Sequence, residues 1–206
     1  MRLQLGCAVG CVDGDAGVLA DLVIDPGARR VTHLVVEPRH RHALARLVPI
    51  ALARESGAGL ALSCRSSELH RMPEVHEFAF GRLYAFPVLD PGWTVGVQDA
   101  LATPDPDYPG LAWNPGDGEP RVSVVFDRIP GGEVELRRGS SVTTADGWPL
   151  GTVAGATAAD DDRLTHILVR RHRLGRSGDT VLPIGAVERL DTDAVVLRLT
   201  KRELRG

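Results

Sequence analysis

The chain has 206 residues, a formal net charge of −3 and a pI near 6.2, with 43% apolar and 25% charged residues. These proportions suit one large or two small globular domains, and they exclude a disordered chain and a chain-wide basic field for nucleic acid. No apolar run approaches the roughly 20 residues that span a bilayer, and Arg2 is not followed by the apolar core of a secretory signal.

Three cysteines, Cys7, Cys11 and Cys64, make an odd number without a secretory address and read as reduced thiols in a cytoplasm. Lys201 is the only lysine and Asn114 the only asparagine, which reads as the codon bias of a GC-rich bacterial genome. The resulting arginine-rich surface suits carboxylate and phosphate recognition.

Taken in chain order, short β-branched and leucine-rich runs predict strands near 5–9, 17–19, 31–36, 47–50 and 60–62. Turn chemistry at Asp13-Gly14 and Asp25-Pro26-Gly27 separates them. Leu60, Leu62 and Cys64 alternate with Ala61 and Ser63, the signature of a half-buried strand. Pro49 predicts a strand end or corner, and residues 66–72 a closing helical turn.

The same order returns near 138–142, 151–153, 164–169, 181–184 and 195–197, with a closing turn at 200–205. Thr165-His166 answers Thr32-His33, Pro183 answers Pro49, and Cys64 falls at Leu199. The offset between matched positions drifts by only two residues, so the chain holds an internal repeat. A unit of this size is near the lower limit for burying its own core, and pairing two units relieves that limit.

The Thr-His-Leu-Val-Val and Leu-Val-Pro-Ile strands, the aspartate turn and the closing Glu68-Leu69 resemble the PRC-barrel family. The run from Ile129 through Glu133 to Arg138-Gly139 looks like the start of a second copy. The resemblance covers roughly 1–74 and 134–206 and implies an all-β fold of two small barrels in tandem. It also implies docking onto a larger partner, as in the photosynthetic reaction-centre H subunit or a ribosome-maturation factor, and it carries over no catalytic residue. The motifs are structural and nearly silent on chemistry.

Residues 75–133 differ in composition: eight of the fourteen prolines lie between Pro87 and Pro130. Aromatic residues gather there as well, including Tyr108 and Trp113. An aromatic strap of Phe78, Phe80, Tyr84, Phe86 and Trp93 is expected to fill a groove or face a partner, with mobility across 102–120.

The surface feature that repeats with the strands is basic. Arg39, His40, Arg41, His42 and Arg46 follow the first Thr-His strand; Arg170, Arg171, His172, Arg173 and Arg176 follow the second. Together they form either a solvated face or one anion- or partner-binding surface. His33 and His166 read as structural strand residues. Cys7-x-x-x-Cys11 and His40-x-His42 lack the spacing of zinc sites, and Asp13-Gly-Asp15 fails as a calcium loop because Ile24 holds the glutamate position. Asp160-Asp161-Asp162 reads as a solvated turn.

No cofactor or metal is expected, and no nucleophile–base motif appears. The leading expectation is a non-catalytic binding or scaffolding protein that docks to a protein partner, with homodimerisation open. An RNA- or ribosome-associated accessory factor is the alternative, and a small-molecule or enzymatic role comes third.

Overall fold

Alternating apolar residues and frequent turns give a chain of short strands with few helical turns. The computed structural model describes residues 1–39, 45–57, 59–82, 93–94, 97–101, 121–127, 129–173 and 176–205, with backbone alone for 76–82, 93–94, 97–101, 121–127, 172–173, 176–177 and 205. The first part holds β1 (Arg2–Gln4), β2 (Ala8–Cys11), β3 (Gly14–Asp25), β4 (Arg30–Glu37), β5 (Arg46–Pro49), β6 (Ala53–Ser56), β7 (Gly59–Leu62) and α1 (Ser66–Leu69). The middle holds β8 (His76–Arg82), β9 (Trp93–Thr94), β10 (Val97–Leu101), β11 (Arg121–Asp127) and β12 (Ile129–Pro130). The last part holds β13 (Val134–Arg137), β14 (Ser141–Thr143), β15 (Pro149–Ala158), β16 (Leu164–Arg173), β17 (Arg176–Pro183), β18 (Val187–Asp191) and β19 (Ala194–Leu197). No helix among the described residues is long and apolar enough to cross a membrane.

The chain divides into two compact units, Met1–Val75 with Gly132–Gly206, and His76–Gly131. In the smaller unit, β8, β11 and β10 form an antiparallel sheet and β9 pairs with β12. The segment expected as an irregular strap therefore has strands of its own; residues 102–120 lie outside the described residues.

The larger unit contains two seven-stranded sheets with one topology. The first runs β5-β4-β3-β2-β7-β6 and the second β17-β16-β15-β14-β19-β18. Even the irregularities repeat. The β3–β4 ladder shifts register at Leu19/Asp21 and Val23/Ile24, and the β15–β16 ladder shifts at the matching Val153/Gly155 and Thr157/Ala158. Bulges at fixed positions bend and twist a strand in a set way, so they belong to the design. Gly17 and Gly151 also match: a Cβ on either would lie 2.1 Å from a carbonyl oxygen of the neighbouring strand, that of Glu37 or Arg170. Only glycine allows so close a crossing.

The seventh strand of each sheet comes from the other half of the chain. β1 precedes β2 in sequence yet pairs with β15, placing Leu3 opposite Ala156. β13 precedes β14 yet pairs with β3, placing Leu136 opposite Leu22. Leu3 and Leu136 are both fully buried and belong to one continuous core shared by the two sheets. The exchange is reciprocal, so neither sheet is complete without the other half.

The hairpin turns of the two halves also meet as equals. The Val31 amide donates to Asp162 O at 3.0 Å, and the Leu164 amide donates to Arg29 O at 2.9 Å. Arg30 and Arg163 form a bridge between these two bonds. Arg29 and Asp162 share positive φ, 53° and 64°. This mutual pattern is the internal equivalent of a two-fold interface. The aspartate run expected as a solvated turn thus helps join the halves, since Arg30 Nε also donates to Asp161 O at 2.9 Å.

The expected closed barrels are not found. Each sheet is an open path ending at β5 and β6, or at β17 and β18, and no ladder joins those ends among the described residues. Pro49 and Pro183 end their strands as expected, and 3-10 turns over Ile50–Leu52 and Ile184–Ala186 turn the chain away. A proline carries no amide hydrogen to extend a ladder, so the path breaks there.

Candidate functional site

Each half ends its sheet in a hairpin, β4–β5 or β16–β17, and these hairpins carry the basic residues. Regular antiparallel pairing positions them, with His33 opposite Pro49 and His166 opposite Pro183. The described arginines are largely engaged within the chain. Arg39 Nε lies 3.2 Å from Asp15. Arg46 Nη1 lies 3.0 Å from Glu74 and donates to Met72 O at 3.0 Å. Arg170 Nε lies 3.1 Å from Asp179. Arg171 is half-buried, and its Nε has no hydrogen-bond partner among the described residues.

His40, Arg41 and His42 lie outside the described residues. His172, Arg173 and Arg176 sit at the end of the β16–β17 ladder, where His172 pairs with Ser177 and Arg173 with Arg176 through the backbone. Their side chains lie outside the described atoms, as do those of Phe78, Phe80 and Trp93. Tyr84 and Phe86 lie outside the described residues altogether. The two basic segments thus occupy corresponding hairpins on separate sheets.

The outer edges of these hairpins differ. Residues 73–75 run beside β5: the Leu47 amide donates to Pro73 O at 2.9 Å and the Val75 amide to Ala45 O at 3.0 Å. Leu47 is 3% exposed. Val181 holds the same register place in β17, opposite Leu168 as Leu47 is opposite Val35. Val181 is 57% exposed, and β17 ends its sheet with no strand beyond it among the described residues. Sequence reasoning missed this edge; aligning Val181 with Leu47 and asking what covers each was the signal available.

The matched histidines differ in their partners. The Thr32 hydroxyl donates to Glu133 Oε2 at 2.5 Å, and His33 Nδ1 lies 3.1 Å from that hydroxyl and 3.8 Å from the carboxylate. Burial holds the His33 imidazole below its ordinary value of 6.5, against the opposing pull of Glu133. Among the described residues, His166 Nδ1 meets hydroxyls, at 3.1 Å from Thr165 and 3.3 Å from Thr157.

Asp13, weighed as a calcium ligand, instead accepts from the Ser66 amide and hydroxyl at 2.8 and 2.9 Å and fastens the closing helical turn. Asp146 repeats this by accepting from the Lys201 amide at 3.0 Å. Cys64 is buried in the core, and the Val12 amide donates to its carbonyl as the Ala145 amide does to Leu199. Burial and the adjacent Cys64 push the Cys11 thiol up to about 11, which keeps it protonated at neutral pH.

No protein-family model and no curated protein matches this chain. The likeness to PRC barrels therefore rests on the repeat and its motifs.

Proposed function

We propose that the protein is a non-catalytic binding or scaffolding module, a tandem of PRC-barrel-like halves that docks to a larger protein partner. The observation that carries this reading is the asymmetry of two otherwise matched edges. Residues 73–75 cover β5, while Val181 on β17 is left exposed. An uncovered strand edge is a template for pairing and natural chains seldom leave one bare. The reciprocally exchanged strands support the same reading, because they make a stiff body suited to presenting a fixed edge.

The RNA-associated alternative draws on the arginine-rich hairpins. Ion pairs at Arg39, Arg46 and Arg170 already neutralise three of those charges, which counts against it. The test is affinity purification of the full chain from its native host across a salt series, scoring protein and nucleic acid together. A stoichiometric protein partner that persists as salt rises is the expected result. Recovery of RNA alone, lost steeply with salt, would replace the docking reading with the nucleic-acid one.

A further inference from the structure

We infer that the outer edge of β17 takes up an extended, acidic segment of a partner protein, added as an antiparallel strand beside Thr180 and Val181. The inference rests on the docking reading above and names the mode and chemistry of that contact.

The chain contains its own example of the bound state. On the matched edge, residues 73–75 lie antiparallel to β5, with Glu74 bridged to Arg46 in the backbone ladder. The Glu74 side chain reaches Arg46 Nη1 at 3.0 Å, and Val75 is fully buried. The β5 edge thus accepts an acidic residue followed by an apolar one; by the same register Arg46 falls at Thr180, so on β17 the positive charge comes from the rest of the hairpin. By register, the Val181 amide and the Asp179 carbonyl stand where the Leu47 amide and Ala45 carbonyl make those bonds.

β17 is also built to receive a strand. Edges are usually blunted by a proline, a bulge or a lysine. The β16–β17 ladder instead runs from His166–Pro183 to Arg173–Arg176 without a register shift, and no proline interrupts β17 before Pro183. The hairpin carries Arg170, Arg171, Arg173 and Arg176 against the single carboxylate of Asp179. Asp179 is engaged by Arg170, and Arg171 Nε is buried without a hydrogen-bond partner among the described residues. Added backbone bonds would supply affinity, and the net positive charge of the hairpin would favour an acidic segment.

The test uses the full chain and a synthetic peptide carrying residues 72–79, whose sequence includes Glu74, Val75 and Glu77. In the free protein the Val181 amide should exchange with solvent quickly while the Leu47 amide stays protected. The peptide should bind saturably and protect Val181, and changing its two glutamates to lysine should weaken it. Val181→Pro removes an outward amide without touching the β16 ladder and should lower peptide affinity at least about tenfold. Val181→Glu serves if the proline variant fails to fold, since its carboxylate would repel an acidic segment.

A Val181 amide already as protected as that of Leu47 would overturn the inference, as would binding indifferent to both variants. A dimer in sedimentation that becomes monomeric with Val181→Pro would make a second copy the occupant and overturn the partner strand. In host purification, a partner captured equally by wild type and variant removes this edge but leaves the docking reading intact. No captured protein with either removes both.

Discussion

The two halves of the larger unit share strand order, bulges, close-crossing glycines and capping aspartates, yet they differ on their outer faces. In the first half Val23, Val35, Leu47 and Glu135 are all buried. Their counterparts in the second half are Thr157, Leu168, Val181 and Arg2, of which Leu168 alone is fully buried. The inner faces of both halves contribute to one continuous core, which keeps them alike. The outer face is free to diverge, and the second half has become the one with an accessible edge.

If the exchange of strands makes one body of two halves, core damage on either side should be felt by both. Leu3→Ala and Leu136→Ala should each cost about 3–4 kcal/mol. In denaturant titrations followed by hydrogen exchange, either variant should lower protection in both sheets together. Two separate transitions for β2–β7 and β14–β19 would show that the halves are independent.

A smaller effect should separate the halves. Glu135 is fully buried and bonded by Arg137 at 2.9 Å, and Arg137 in turn reaches Asp193 at 3.0 Å. Its counterpart Arg2 is exposed. Glu135→Ala should cost about 2–3 kcal/mol because a buried guanidinium loses a partner, whereas Arg2→Ala should stay within about 0.5 kcal/mol. Equal losses in urea midpoints would contradict the assigned asymmetry.

The histidines sharpen it further. His33 is held below 6.5 by burial, so the unfolded chain binds a proton there that the folded chain resists. Its contribution is complete above the unfolded value and declines as pH falls through that value toward the lower folded one. Stability should therefore drop as pH falls from neutral through the ordinary value of 6.5, and His33→Gln should flatten that part of the profile. A profile unchanged by the substitution would remove His33 as the source.

The smallest effect belongs to the capping aspartates. Hydrogen bonds from Ser66 lower the Asp13 carboxyl, and those from Thr144 and then Lys201 lower that of Asp146. Each contribution is present above the ordinary value of 3.8 and lost as pH falls through the folded one. Asp13→Ala and Asp146→Ala should lower melting temperature slightly and by similar amounts, a check on the equivalence of the closing turns.

Much of this architecture was legible locally. The repeat, the period-two alternation at Leu60–Leu62 and Val195–Leu197, the corners at Pro49 and Pro183, and the place of Cys64 follow from residue type and spacing, since pleat geometry and proline chemistry act over a few residues. Tertiary structure alone decided that β1 and β13 change sheets, because Leu3 and Leu136 are equally apolar in either partnership and only the shape of the shared core selects one. It also decided which charges are spent inside the chain. Arg39, Arg46 and Arg170 read as a free basic surface until Asp15, Glu74 and Asp179 are brought beside them. The exposed edge at Val181 belongs to the same class: Leu47 and Val181 are alike as residues, and what covers them is set by contacts between distant parts of the chain.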